Sequence, residues 1–237
     1  MDKVWIIAKR ELSSFFDSLV AYLILVAFLG FTGFFTWLQG SDVFFRKQAD
    51  LLAFFETAKW TLFFFIPAIT MRMLAEEKKT GTIELLLTKD VSDRQVVLGK
   101  YLGCLLLVII ALLFTIPYYL TVSRLGNIDH GATLSGYLGL VFLSSAYIGI
   151  GLFASSITNN QIVAFILALV IGICFQFIFD MLSNGTTGFL GELFNTLSIN
   201  NHFDSIKRGV LDSKDLIYFF SISAIGIFFA ELSIKNR

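Results

Sequence analysis

The sequence predicts an all-α integral membrane protein with six transmembrane helices. Hydrophobic residues make up 56% of the 237 residues, Phe alone occurs 27 times, and the mean hydropathy is +0.78. Charged residues make up only 15% of the chain, well below their share in soluble domains. The apolar residues are also concentrated in segments of about 20 residues, the length that a helix needs to cross a bilayer.

Six segments reach or approach this length, and we expect one transmembrane span from each. They lie at roughly 17–38, 58–75, 101–123, 136–157, 162–182 and 215–234. The second has the shortest uncharged core, so we expect Lys59 and Arg72 to extend from it toward the two interfaces. A cytoplasmic N-terminus places eleven of the 18 basic residues on the cytoplasmic side, which predicts that both termini are cytoplasmic.

Residues 1–16 precede the first span and show an amphipathic pattern. Trp5, Ala8, Leu12 and Phe15 recur at three- and four-residue spacing, whereas Lys9 lies elsewhere on the helical wheel. The pattern predicts an interfacial helix that lies in the headgroup layer. The alternative is that these residues are the start of the first span.

Two features inside the predicted spans suggest where helices bend or pack. Pro67 and Pro117 each remove one backbone hydrogen bond, so both are candidate hinges or fixed bends. The fourth span has small residues at four-residue spacing, which allows helix backbones to approach closely within the chain or between two copies. These packing residues are Ser145, Gly149, Gly151 and Ser155.

The segment from 183 to 214, between the fifth and sixth spans, is too long for a simple turn and has two short apolar stripes. The first stripe contains Phe189, Leu190, Leu193, Phe194 and Leu197, and the second contains Phe203, Ile206 and Val210. Two short re-entrant helices on the extracytoplasmic side would bury both stripes. The alternative is a small extracytoplasmic cap.

The most polar part of the chain is residues 76–100, EEKKTGTIELLLTKDVSDRQVVLGK, with ten charged side chains. Each charge at the bilayer centre costs about 2.5 to 3.5 kcal/mol, so this region is predicted to be cytoplasmic. Gly81 can end a helix in a left-handed turn, Ile83–Thr88 predicts a short helix, and Ser92 with Gln95 forms a capping box for a third span starting near Asp93. This order of helices and turns favours a rigid cytoplasmic elbow against which a soluble protein could push, and the alternative is a well-capped loop without a partner.

Several classes of function are not supported by the composition. The net charge is zero, so a nucleic-acid partner is not expected. His130 and His202 stand apart from other ligands, which predicts solvated loop residues and no metal site. The phosphate-loop motif G-x-x-x-x-G-K-[ST] is missing, and no nucleophile and base are suitably spaced, so we expect a non-enzymatic chain that binds no cofactor itself.

The motif EEKKTGTIELLLT, followed by VS and then VLGK, resembles the signature of the ABC-2 type transporter permeases. Asp90 stands where that family usually has Pro. The segments IPAITMRMLAEEKKTGTIELLLTKD, NNQIVAFILA and HFDSIKRGVLDSKDLIYF also resemble the gliding-motility-associated members of the family. The similarity covers most of the chain, 1–237, as one permease domain.

The resemblance implies a six-span permease subunit, with its coupling helix after the second span, in the bacterial inner membrane. It also implies a separate ATPase subunit that holds ATP and Mg²⁺, a second permease copy, identical or not, and an auxiliary membrane-anchored gliding subunit. The residues expected to couple to the ATPase are Glu76, Glu77, Gly81, Thr82, Ile83, Glu84, Leu85, Leu86, Leu87 and Thr88.

Together these observations predict an exporter permease driven by another polypeptide. The predicted spans carry almost no ionisable residues near the middle of the membrane, whereas ion-coupled carriers usually need some. The alternative is a membrane anchor that helps a gliding or surface-assembly complex mechanically without moving a substrate. Apolar spans with a few Ser, Thr and Gln residues are compatible with a lipid-linked, polymeric or amphipathic cargo.

Overall fold

The computed structural model describes residues 2–39, 48–82 and 91–235, and within these ranges the regular structure is entirely helical. Six helical stretches in the described ranges are long and apolar enough to cross a membrane, which confirms the predicted fold class. We number them as spans in chain order: Leu19–Trp37, Leu52–Thr80, Asp93–Leu125, His130–Ser156, Gln161–Gly185 and Ser213–Lys235.

A separate helix precedes the first span. This N-terminal helix, Asp2–Phe16, ends at a turn over Asp17 and Ser18, and the first span begins at Leu19. The Ser18 hydroxyl donates to the Phe15 carbonyl (2.9 Å), which satisfies one acceptor at the end of the helix. Residues 2–16 are therefore not the beginning of the first span.

Three of the spans are interrupted. The second consists of Leu52–Thr70, a turn over residues 71–74 and a short helix, Ala75–Thr80, which we call the elbow helix. The third breaks at Phe114 and Thr115 between the helices Asp93–Leu113 and Ile116–Leu125. The fifth contains one π-helical turn, Cys174–Ile178, between Gln161–Ile173 and Phe179–Gly185.

The main helix of the second span differs from the predicted bounds: it begins at Leu52 rather than near residue 58 and ends at Thr70 rather than 75. Phe54 and Phe55 are buried and pack edge-on against Tyr118 and Tyr137, respectively. The turn of helix that contains the charged Glu56 is thus held by aromatic contacts with the third and fourth spans, which a hydropathy window does not detect.

The fourth span is the centre of the bundle. Of its most apolar window, 78% is buried, compared with 28% for the first span and 22% for the fifth. It packs against the second, third, fifth and sixth spans. Small residues along it, such as Ala146, Gly149 and Ala154, allow these neighbours to approach closely.

Both termini of the described chain lie at the same end of the bundle as the elbow helix. The N-terminal helix packs along the beginning of the third span. The carbonyl of Ser156, at the end of the fourth span, accepts hydrogen bonds from Lys78 of the elbow helix and from Ser233 near the end of the sixth span. We call this the elbow end of the bundle.

Two short helices, Phe189–Leu197 and Ile199–Lys207, connect the fifth and sixth spans at the opposite end, as the sequence predicts. We call them the paired short helices. Ile199, Phe203 and Ile206 of the second one are fully buried. The prediction was wrong for Val210, which is 57% exposed, because the helix has ended by then and Gly209 turns the chain with a φ of 94°. The described chain also leaves Phe189, Leu190 and Leu193 of the first stripe exposed, so it does not bury both stripes as predicted.

Candidate functional site

The elbow helix begins where a hydroxyl of the fourth span satisfies its first backbone groups. Ser155 Oγ accepts hydrogen bonds from the backbone N–H groups of Leu74 (3.1 Å) and Ala75 (3.0 Å) and donates to the Met71 carbonyl (2.9 Å). These N–H groups lack partners within the helix. One donated and two accepted bonds use the full capacity of a hydroxyl, so Ser155 holds the turn before the elbow helix to the fourth span.

The elbow helix ends at Gly81, which has a φ of 70° and therefore adopts the left-handed conformation expected from the sequence. The helix is also attached at Lys78, whose Nζ donates to the carbonyl of Ser156. Ser233 Oγ of the sixth span donates to the same carbonyl at 2.8 Å. The elbow helix, the fourth span and the sixth span therefore meet at one backbone oxygen.

A buried charge cluster joins the elbow helix to two further elements. Lys100 of the third span is only 1% exposed, and its Nζ lies 2.7 Å from Glu77 Oε1 and 3.2 Å from Glu11 Oε1. Arg10 Nη2 lies 2.7 Å from the same Glu11 oxygen and 4.0 Å from Glu77 Oε1. We call these four residues the Lys100 cluster.

The charges of the Lys100 cluster balance. Burial alone would raise the pKa of Glu11, but the Lys100 ammonium and the Arg10 guanidinium outweigh it and hold that pKa below its usual value. A lone ammonium in this position would be costly to desolvate, whereas two acidic and two basic groups compensate one another. The cluster therefore needs all three elements, the N-terminal helix, the elbow helix and the third span, to be in place.

Two glycines of the third span bring the N-terminal helix into contact. A Cβ on Gly99 would lie 2.5 Å from Ile7 Cγ2, and a Cβ on Gly103 would lie 2.9 Å from Glu11 Cβ. Any larger side chain at these positions would push the N-terminal helix away. Gly99 thus supports the same contact as its neighbour Lys100.

The third span starts with the predicted capping box. The Gln95 N–H donates to Ser92 Oγ (3.3 Å), and the Ser92 N–H donates to Gln95 Oε1 (3.1 Å). The helix begins at Asp93, as predicted. Within the polar region, the end of one helix at Gly81 and the start of the next at Ser92 are therefore fixed by local structure.

Of the ten predicted coupling residues, the structure describes Glu76, Glu77, Gly81 and Thr82. Ile83, Glu84 and the following residues through Thr88 lie outside the described residues. Glu76 and Thr82 are exposed at the elbow end. Glu77, in contrast, faces inward to Lys100, so its carboxylate supports the elbow helix rather than offering an exposed contact.

The predicted packing residues of the fourth span contact neighbours within this chain. Ser145 Oγ lies 2.7 Å from Ser223 Oγ of the sixth span, and a Cβ on Gly226 would lie 2.4 Å from the backbone carbon of Gly149. Gly151 faces the second span, where a Cβ would lie 2.0 Å from Thr70 Oγ1. Ser155 has the hydrogen-bonding role described above.

The two prolines occupy different environments. Pro67 lies inside the uninterrupted helix Leu52–Thr70, close to its end. Pro117 lies in the first turn of Ile116–Leu125, directly after the break in the third span, where its missing N–H costs little. A hinge role for either proline stays a prediction.

The surroundings of Lys59 differ from the prediction. Lys59 is enclosed by protein rather than extending outward from the second span. It is 6% exposed, with its Nζ 3.0 Å from Glu56 Oε2 and 3.3 Å from Asn200 Oδ1 of the second paired short helix. The short helices cover this part of the second span and supply polar partners there.

His202 is not a solvated loop residue. It lies on a helix and is 9% exposed. Its Nδ1 lies 2.6 Å from Asp215 Oδ1 of the sixth span, and its Nε2 lies 2.9 Å from the Thr196 carbonyl. The four-residue spacing of Phe203 from Ile199, next to His202, is the one sequence signal that could have placed this histidine on a buried helix face.

Among the residues that the structure describes, no three His, Cys, Asp or Glu side chains are grouped so that they could hold a metal ion.

A comparison with curated proteins found no match. A family model described as "ABC-2 family transporter protein" matches residues 5–212. This match covers most of the chain, including five complete spans, and the protein therefore belongs to the ABC-2 transporter family as a multi-pass membrane permease.

Proposed function

We propose that this permease is an exporter subunit driven by a separate ATPase that binds at the elbow end. The observation that carries the proposal is the attachment of the elbow helix to four other elements. Ser155 and Ser156 connect it to the fourth span, and Lys100 connects it to the third span and the N-terminal helix. Ser233 adds the sixth span through the carbonyl that Lys78 contacts.

Because the elbow helix is attached to several spans, a force applied to it would reach those spans. An ATPase bound to exposed Glu76, Thr82 and the adjoining 83–88 stretch would displace the elbow helix together with the spans attached to it. A displacement of this kind moves packed helices between discrete arrangements rather than bending one loop. ATP and Mg²⁺ would be bound by the ATPase, since the phosphate-loop motif is missing from this chain.

The proposal includes an assembly and a location. Two permease copies, identical or not, would pair above two ATPase subunits in the bacterial inner membrane, with the elbow end in the cytoplasm. An auxiliary membrane-anchored subunit and a role in gliding motility are further parts of the proposal. Their support is the similarity of several long segments to gliding-motility-associated permeases.

Deletion of residues 83–88 tests the ATPase contact. We expect the variant to insert into the membrane normally and to lose co-purification of the ATPase, because the deletion removes the docking surface. Deletion of residues 184–187, at the end of the fifth span and on the opposite side of the bundle, is the matched control and should leave co-purification intact. Undiminished recovery of the ATPase with the 83–88 deletion would contradict the proposal.

Transport itself is tested separately from docking. Cargo that co-purifies with the intact complex would be identified by mass spectrometry and its ATP-dependent movement measured in inside-out vesicles. Accumulation inside these vesicles corresponds to export from the cell. If ATP is hydrolysed without movement of the cargo, the mechanical anchor is the better description.

A further inference from the structure

We propose that Lys100 is a positioning residue that makes the N-terminal helix move together with the elbow helix. The inference rests on the proposed function, in which force arrives at the elbow helix. Its basis is the position of one ammonium group between two carboxylates from different helices. Lys100 Nζ contacts Glu77 of the elbow helix at 2.7 Å and Glu11 of the N-terminal helix at 3.2 Å.

Each of these two helices also has its own attachment to the bundle. The N-terminal helix packs on the third span through the close contacts at Gly99 and Gly103. The elbow helix is held to the fourth span by Ser155 and by the carbonyl of Ser156. Loss of the Lys100 ammonium would therefore leave both helices folded but would remove their shared ion pair.

The charges around Lys100 explain why the two helices would move together. Without the ammonium, Glu11 and Glu77 would be two carboxylates close together in a poorly solvated site, and like charges would separate them. Arg10 could compensate only in part, since its side chain is 51% exposed and its guanidinium is 4.0 Å from Glu77. With the ammonium present, separating the elbow helix from the N-terminal helix would break the pair of Lys100 with Glu77 or its pair with Glu11, and breaking a buried ion pair is strongly unfavourable. The N-terminal helix therefore follows the elbow helix.

The consequence concerns the membrane surface. The N-terminal helix carries exposed Trp5 and Ile6 beside exposed Lys9, a combination suited to the headgroup layer. When the elbow helix moves, Lys100 would carry this helix with it along the interface. The force from the ATPase would reach the first span through the N-terminal helix as well as through the second and third spans.

Pairs of spin labels test the connection without the ATPase. Labels would be placed on Ser13→Cys and Thr82→Cys, both exposed, in a protein whose Cys104 and Cys174 are replaced. We expect one narrow distance distribution in the parent protein and in Lys100→Arg, whose guanidinium can contact both carboxylates. Lys100→Met should give a broad or shifted distribution. Glu11→Gln, a milder change that keeps the Lys100–Glu77 pair, should broaden it as well.

Lys9→Met is the matched control, because it removes an exposed charge from the same helix. It should leave the distribution narrow. Gel filtration of each variant checks that the bundle is folded. A narrow, unshifted distribution in folded Lys100→Met and Glu11→Gln proteins would overturn the inference, whatever drives the permease.

A second measurement uses the intact complex trapped with ATP, Mg²⁺ and vanadate. We expect the label on the N-terminal helix to be displaced relative to a label on the sixth span, and Lys100→Met to lose this displacement while the ATPase still co-purifies. Lys100→Arg should restore it. Failure of the ATPase to bind the parent protein would count against the proposed function alone, because the distance measurement on the isolated permease still decides the role of Lys100.

Discussion

Ser144 and Ser155 lie on one helix but form hydrogen bonds to different parts of the protein. Both are fully buried in the fourth span. Ser144 donates to the Leu140 carbonyl of its own helix (2.6 Å), whereas Ser155 serves three backbone groups of the second span and the elbow helix. The difference comes from what lies opposite each residue, not from its position in a pattern of small residues.

We expect Ser155→Ala to destabilise the protein by roughly 1 to 3 kcal/mol, because it leaves two buried N–H groups without an acceptor. The measurement is the midpoint of unfolding of the purified protein in mixed micelles. Ser144→Ala, the matched control, should change the midpoint much less, since the Leu140 carbonyl keeps its helical environment. Equal effects of the two variants would contradict the hydrogen-bonding role of Ser155.

Gly151 and Gly30 form a second comparison of this kind. A Cβ on Gly151 would lie 2.8 Å from Thr70 Cβ, whereas a Cβ on Gly30 would meet nothing within 4 Å in the described chain. Gly151→Ala should destabilise the bundle by about 1 to 3 kcal/mol through overpacking. Gly30→Ala should be neutral or slightly stabilising, because Ala restricts the unfolded chain. Thermal inactivation of the two purified variants measures the difference, and a Gly151→Ala variant as stable as the parent would rule out the tight contact.

At the scale of secondary-structure elements, polar bonds between distant segments fix the paired short helices. Asn200 accepts a hydrogen bond from Lys59 (3.3 Å) and donates to the Gln176 carbonyl (2.7 Å). That carbonyl belongs to the π-helical turn of the fifth span, where the regular ladder of helix hydrogen bonds is interrupted. Asn200 therefore connects the second short helix to both the second and the fifth spans.

Asn200→Ala is expected to loosen the paired short helices, with a loss of about 1 to 3 kcal/mol, since it leaves the Gln176 carbonyl and Lys59 short of a partner. Hydrogen exchange of residues 189–207, followed by mass spectrometry, measures the effect. Asn201→Ala is the comparison variant, because Asn201 bonds to Asn195 of the first short helix rather than to a span, so exchange should rise less than in Asn200→Ala. The role of Asn200 would be disproved by exchange as slow as in the parent protein.

At the scale of the whole molecule, the hydrogen bonds at Ser156 and the Lys100 cluster place both termini and the elbow helix at one end. The excess of basic residues predicts that this end faces the cytoplasm. The two observations have independent origins. The first depends on packing inside the bundle, and the second depends on loop composition.

Cysteine labelling in intact cells tests the orientation. In a background without Cys104 and Cys174, Val210→Cys should react with a membrane-impermeant maleimide, because Val210 is exposed at the end opposite the elbow. Thr82→Cys should react only after the membrane that holds the protein is permeabilised. Labelling of Thr82→Cys in intact cells with an unlabelled Val210→Cys would reverse the topology and remove the basis for cytoplasmic ATPase docking.

The sequence was most informative where structure depends on neighbouring residues. The capping box at Ser92 and Gln95, the left-handed Gly81 and the pair of short helices were all predicted, since each depends on residues a few positions apart. The six spans follow from the length and apolarity of continuous segments. The beginning of the second span at Leu52 was not predicted, because aromatic contacts with other spans decide it.

The sequence by itself therefore determined that this is a six-span membrane protein, with a helix that ends at the left-handed Gly81 and another that starts at the Ser92 capping box. Tertiary structure alone decided that Lys100 is buried between Glu11, 89 positions away, and Glu77, and that Lys59 meets Asn200 across 141 positions. Helix periodicity and bilayer thickness act over one segment at a time and can be recognised locally. Which buried charge meets which partner depends on how the helices pack, so only the folded bundle reveals it.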